Sequence, residues 1–153
     1  MTRKLLILAA AGGSAALLLG ALGFQYLGGL PPCDLCIWQR WPHLAAVVLG
    51  GAALTLRGRA LPLLGAVAAL TTSGFGLYHT GVERGWWQGP STCTSAPVGG
   101  LTPDQLMEQI MSAPLVRCDE VPWELLGLSM ASWNAIAALG LALVWLAAAR
   151  ATR

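Results

Sequence analysis

Between Arg59 and Glu83 the chain reads ALPLLGAVAALTTSGFGLYHTGV, residues 60–82, without a single charged side chain. At ~1.5 Å per residue, a helix of about 20 apolar residues crosses the ~30 Å hydrocarbon core of a bilayer, so this stretch is long enough to span it. Further uncharged runs extend from Leu5 to Cys33, Trp41 to Leu56, Gly85 to Pro103 and Leu125 to Ala149. The run from Gly85 to Pro103 also contains Gly89, Pro90, Pro97, Gly99 and Gly100. Backbone interrupted that often cannot satisfy its own hydrogen bonds in lipid, which makes this run a loop and leaves four helices. The run between Arg40 and Arg57 is too short to cross alone. The second helix is therefore expected to begin near Cys36, drawing Arg40 into the membrane edge. The expected architecture is an all-α integral membrane protein, one domain over residues 1–153. It is a four-transmembrane-helix bundle with helices at about 5–28, 36–56, 60–82 and 129–149 and a long loop at about 83–128.

Composition agrees. The 153 residues are 56% hydrophobic and 10% charged, against about 25% charged in soluble domains. Disorder needs the opposite balance. A net charge of +2, thinly spread, offers no phosphate-binding surface, so nucleic acid is not an expected partner.

Four spans place both termini on one side, with the turn bearing Arg57 and Arg59. That side collects Arg3, Lys4, Arg57, Arg59, Arg150 and Arg153 and no acid, so the excess of positive charge makes it cytoplasmic. The other face carries Asp34, Glu83, Asp104, Glu108, Asp119, Glu120 and Glu124. Trp38, Trp41, Trp86, Trp87, Trp123 and Trp133 suit an outer aromatic belt, and Trp145 lies towards the inside. Arg3 and Lys4 ahead of an apolar run also fit a cleaved signal peptide. Apolar character persisting to Leu30 favours an uncleaved first helix.

All four cysteines fall on the extracytoplasmic face: Cys33 and Cys36 between the first two helices, Cys93 and Cys118 in the long loop. Thiols there can persist as disulfides, so two pairs on one face suggest either structural bridges or a relay of exchangeable ones. The first pair reads PPCDLCIWQR, residues 31–40, a Cys-x-x-Cys at a helix start. Unpaired N–H groups and the helix dipole favour a thiolate there. Arg40 follows Cys36 by one turn on the same face, where a permanent cation can hold negative charge. Snorkelling to headgroups is the competing reading of Arg40. In the loop, Thr102-Pro103-Asp104 is a helix start, and Leu106, Met107, Ile110 and Met111 then share one face. A short amphipathic horizontal helix on the bilayer and a lid packed on protein fit equally. Mobility around Val98, Gly99 and Gly100 would let Cys93 and Cys118 change partners. Four thiolates can hold zinc, but the usual second Cys-x-x-Cys is missing and the compartment favours oxidation, so no metal is expected. Purely structural bridges are disfavoured because a Cys-x-x-Cys closes too short a loop to constrain the unfolded chain.

With these residues in view, the chain resembles the DsbB family of quinone-linked membrane enzymes that reoxidise the periplasmic thiol oxidant DsbA. The resemblance covers nearly the whole chain. It rests on Pro32-Cys33-x-x-Cys36-x-x-x-Arg40, on Tyr78-His79-x-Gly81-Val82-Glu83 leading through Trp87 and Gly89-Pro90 to Cys93, and on Cys118-Asp119-Glu120 leading through Trp123 to Leu126-Gly127-Leu128-Ser129. It implies a four-helix membrane bundle with a short horizontal helix in the second outer loop, in a bacterial inner membrane with both termini cytoplasmic. It further implies redox disulfides Cys93 with Cys118 and Cys33 with Cys36, catalysis by all four, and a mixed disulfide of Cys93 with a DsbA-like thioredoxin-fold partner. Cys33 would exchange with Cys118. Cys36, Arg40 and His79 would face the quinone, ubiquinone or menaquinone; for His79 an interfacial histidine with an ordinary hydrogen bond is the alternative. Electrons would run from reduced DsbA through the loop pair and Cys33/Cys36 to the quinone pool. Two rivals remain. A relative of vitamin K epoxide reductase should carry its Cys-x-x-Cys towards the chain end, the reverse of the order here. A non-catalytic scaffold with structural disulfides should trap no mixed disulfide.

Overall fold

The computed structural model describes residues 2–94, 100, 102–112 and 116–151. Val98 and Gly99, where loop mobility is expected, and the inner-side Arg153 lie outside the described residues. The elements run α1 (Arg3–Tyr26), α2 (Asp34–Thr55), α3 (Ala60–Glu83), α4 (Pro103–Ser112), β1 (Glu124–Leu125), β2 (Leu128–Ser129) and α5 (Met130–Arg150). The small hairpin modifies the all-α expectation. Its strands pair antiparallel, Glu124 opposite Ser129 and Leu125 opposite Leu128. The tight turn between them holds Leu126 at φ 54° and Gly127 at φ 73°, positive at both centres as a two-residue hairpin requires. Leucine is a poor advertisement for that conformation, so the turn is not announced by the sequence.

Three helices, α1, α3 and α5, are long and apolar enough to cross a membrane, with window mean hydropathies of 2.2, 1.6 and 1.7. The fourth expected span, α2, is as long but does not join them on composition. Its first half carries Asp34, Gln39, Arg40, Pro42 and His43. It starts at Asp34, two residues ahead of the expected Cys36, because Cys33 supplies the N-cap: its sulfur accepts the Cys36 N–H at 3.2 Å.

The long helices pack as a ring, α1 on α2, α2 on α3, α3 on α5 and α5 back on α1, with a light α1–α3 contact across one diagonal and hydrogen bonds between Asn134 of α5 and α2 across the other. Small residues set the spacing, as between helices that lipid does not drive together. At the end of the bundle that holds both termini, the fully buried Trp145 of α5 is the largest core side chain, clustered with Ile7, Ala10, Ala53, Ala66, Ala69, Ala142 and Ala148. Its ring lies against Gly65, where an added Cβ would stand 2.7 Å from two ring carbons. Gly65→Val is therefore expected to destabilise by about 1–3 kcal/mol through overpacking, read as a lower midpoint of thermal unfolding in detergent. An unchanged midpoint would mean the indole can slide aside. Arg3 donates to the Gly58 carbonyl in the α2–α3 turn at 2.7 Å, and Arg59 to that of Ala149 at the end of α5 at 2.9 Å.

The loop helix α4 leaves Met107, Ile110 and Met111 exposed, so its apolar side is not covered by the bundle as a packed lid would be.

Candidate redox site

Capping and loop anchoring together build the site. The N-cap bond at Cys33 folds the first turn of α2 so that the Cys33 and Cys36 sulfurs lie 2.8 Å apart, both free. The hydrogen bond shared with Cys36, reinforced by burial, raises the Cys33 thiol well above the ordinary thiol range. This pair, expected as a second redox disulfide, is thus a dithiol here. Loss of two electrons and two protons, with closure of the sulfurs to bonding distance, is what separates it from a bridge. Cys93 and Cys118 are bonded to each other, with Cα atoms 5.3 Å apart.

The loop is held against the C-terminal end of α3. Trp87 lies over Gly81, stacks on Tyr78 at 6.0 Å and 7° between planes, and donates its indole N–H to the Tyr78 carbonyl at 2.9 Å. The Cys118 N–H meets the Cys93 carbonyl at 2.6 Å. As a result Cys33, Cys93 and Cys118 share one buried cluster with Leu35 and Val82, and Cys36 packs against it. Exposures of 4%, 1% and 0% for the three leave the loop disulfide open to Cys33 and closed to solvent. Beside Cys118, Arg117 grips Asp119 with two hydrogen bonds, at 3.0 and 2.6 Å, and reaches Glu120 at 3.3 Å. The Arg117 hydrogen bonds hold Asp119 below the usual carboxylate range.

Cys33 and Cys36 also form part of the wall of a cavity of about 580 Å³ bounded by α1, α2, the end of α3, α5 and the segments either side of Cys118. Its walls are mostly apolar, with Leu17, Ala21, Phe24 and Trp133 among them. Trp123 closes it against Phe24, ring centroids 5.3 Å apart. Arg40 lines it, tied to Gln25 of α1 through Nη1 at 2.5 Å, with a buried Nε that has no partner among the described residues. His79 is buried, its Nε2 3.7 Å from the Cys33 sulfur and 3.8 Å from a Glu83 oxygen. Glu83 in turn accepts a short hydrogen bond from Ser129, the N-cap of α5. Cys33, Cys36 and His79 offer donor atoms within 4.8 Å of one another. A four-thiolate zinc site is not assembled, because two of the sulfurs are already joined.

The profile of the family described as Disulfide bond formation protein DsbB matches residues 3–148. The chain belongs to the DsbB family. Among relatives, the Disulfide bond formation protein B of Methylococcus capsulatus is 39% identical over 140 residues, covering 83% of this chain and 82% of the relative. Those of Albidiferax ferrireducens and of a Polaromonas species are 32% and 29% identical, covering 83% and 95% of this chain and 81% and 89% of theirs. No solved structure matches. As a DsbB-family chain with three helices able to cross a bilayer, it is a membrane protein of disulfide bond formation.

Beyond the residues expected from the sequence, the DsbB-family site contains a buried polar chain through Gln39, His43, Thr72 and Asn134 and the Arg40 partner Gln25. The signal was present: these are polar side chains inside otherwise apolar helices, where such residues pair with one another and mark function.

Proposed function

We propose that this protein is a protein dithiol:quinone oxidoreductase, which reoxidises a DsbA-like thioredoxin-fold partner and passes the electrons to membrane quinone. One observation carries the reading: both cysteine pairs meet in one buried cluster, one pair bonded and the other free, at the wall of an apolar cavity. Free thiols 2.8 Å apart also count against a scaffold stapled by two structural bridges. The proposed setting is a bacterial inner membrane crossed by α1, α2, α3 and α5, with both termini cytoplasmic, the cysteines periplasmic and α4 lying on the outer leaflet. The absence of acids at the inner end supports this orientation.

The cavity fits the group. Its volume lies in the range of small-molecule sites, it offers apolar and aromatic walls to a ring, and the unpaired Arg40 Nε–H offers a donor to a ring oxygen. A bound quinone supplies an acceptor for two electrons and two protons. The protein's part is thiolate exchange. A thiolate of the partner attacks Cys93, releasing Cys118. Cys118 then attacks Cys33 of the oxidised first pair, with Cys36 as the leaving thiol one turn above Arg40; the partner's second thiolate resolves the mixed disulfide and releases Cys93, and the Cys93 thiolate attacks Cys118, re-forming Cys93–Cys118 and releasing Cys33. The observed state, loop pair bonded and first pair reduced, corresponds to the point after that transfer, when Cys36 and Cys33 give up two electrons and two protons and join. Because Cys93 is 1% exposed, the first attack requires the loop to lift from α3. Arg40 stabilises negative charge on the Cys36 sulfur and on the acceptor oxygen, and His79 directs its Nε2–H towards Cys33.

Purified protein given a reduced thioredoxin-fold partner should reduce one quinone per two thiols consumed, followed by the quinone absorbance. The same assay with short-chain ubiquinone and menaquinone assigns the acceptor. Failure with both overturns the reading.

A further inference from the structure

The buried polar chain fixes the proton positions on two histidines, and at one of them leaves a bare lone pair in the cavity wall. Gln39 Nε2 donates to the Leu35 carbonyl at 3.0 Å, which sets the direction of that amide. The same nitrogen faces His79 Nδ1 at 3.0 Å, and Gln39 Oε1 faces Asn134. Asn134 must then donate: its Nδ2 reaches Gln39 Oε1 at 2.8 Å, Thr72 Oγ1 at 3.2 Å and the Thr72 carbonyl at 3.5 Å. Its Oδ1 is left to accept from His43 Nε2 at 2.8 Å. His43 therefore carries its proton on Nε2, and Nδ1 is an acceptor.

That Nδ1 is buried and has no partner among the described residues, while His43 is 3% exposed and lines the cavity. One turn away, Arg40 Nε is a buried donor equally without a partner. A bare donor and a bare acceptor on adjacent turns of one helix do not suit a ligand whose oxygens only accept. They suit one that also carries a hydroxyl. Buried polar groups without partners are costly, and a complementary ligand recovers that cost.

We propose that His43 is a ligand-binding residue of this cavity that accepts a hydrogen bond from an aromatic hydroxyl, the group that the electron acceptor carries only after reduction. The inference rests on the reading of the cavity as the acceptor site and adds a preference for the reduced form. Oxidation of the Cys33/Cys36 dithiol to a disulfide releases two electrons and two protons, and the ring oxygens take both, becoming two hydroxyls. Asn134 acts as a positioning residue by holding the His43 proton on Nε2. Tighter binding of the reduced form favours its formation in the site: a tenfold preference corresponds to ~30 mV on a two-electron couple.

The test uses the full-length Cys33→Ser/Cys36→Ser protein in detergent, where no dithiol can react, with 2-decyl-1,4-benzoquinone and its hydroquinone under anaerobic equilibrium dialysis. His43→Leu in this background should weaken hydroquinone binding about tenfold and change quinone binding by less than about twofold. His43→Phe, which keeps ring bulk, should do the same and replaces the leucine variant if that does not fold. Equal loss for both forms means the cavity was reshaped, and no loss for either means that water or nothing meets Nδ1; each overturns the proposal. If the His43 parent binds neither form, the acceptor-site reading fails instead, which separates the two conclusions.

Discussion

Cys118→Ala is expected to stop turnover, to below about 1% of the parent rate, and to leave the protein covalently joined to its thiol partner. The Cys93 thiolate can still attack the oxidised partner's disulfide, forming a mixed disulfide and releasing one partner thiol. Resolution from this protein's side needs the thiolate that is bonded to Cys93 here, Cys118, and without it only back-attack by the partner's own released thiol remains. The Cys118 N–H to Cys93 carbonyl bond at 2.6 Å keeps the two residues together even without the bridge, so a complex through Cys93 should persist on non-reducing gels. Loss of the bridge across 25 positions removes about 3 kcal/mol of constraint on the unfolded chain. The ring of long helices does not depend on it, so the variant should still fold. Cys93→Ala/Cys118→Ala should form no complex. Normal turnover by Cys118→Ala would show that the loop pair is not part of a relay.

The sequence makes the helices legible where lipid dictates composition. α1, α3 and α5 follow from uncharged runs alone, since a bilayer leaves a backbone few other choices. α2 was harder to place because its first half is polar: Gln39, Arg40 and His43 lower its apolar character, and the N-cap role of Cys33 moves its start to Asp34. The β1–β2 hairpin was invisible because it depends on Leu126 in a conformation that leucine rarely adopts.

At the site, the cysteine pairs and Arg40 could be named from spacing, but their meeting could not. That contact depends on Trp87 fitting over Gly81 and on the backbone pairing of Cys118 with Cys93, long-range events without a periodic signature. The chain from His79 through Gln39 and Asn134 to His43 was half legible. Gln39 and His43 are four apart and so share a helix face, yet nothing in the sequence tells which residues of α3 and α5 would meet them. Three helices must first pack at the spacing that their small residues set. At Gly76 an added Cβ would stand 2.9 Å from the Ala131 carbonyl oxygen, which shows how closely α3 and α5 approach beside Asn134.

Arg40→Met is expected to slow quinone reduction by about 10²-fold or more while leaving the single-turnover oxidation of the partner by pre-oxidised protein within about twofold. The guanidinium is held in the cavity wall by Gln25 and offers an unpaired Nε–H. Among the described residues it makes no ion pair. An uncompensated cation at a membrane edge is expensive unless negative charge develops beside it, and the Cys36 sulfur one turn away is where the relay develops it. Loop exchange at Cys93 and Cys118 takes place outside this wall, since neither residue lines the cavity, so it should not register the change. Arg40→Lys should recover only part of the loss: an ammonium keeps the charge but cannot bond Gln25 and present a second donor in the fixed planar geometry of the guanidinium. The two steps are separable by mixing oxidised protein with reduced partner in the absence of quinone, then adding quinone and following its absorbance. A near-parental rate and apparent affinity in Arg40→Met would make the arginine an anchor between α1 and α2 and remove it from the electron-transfer step.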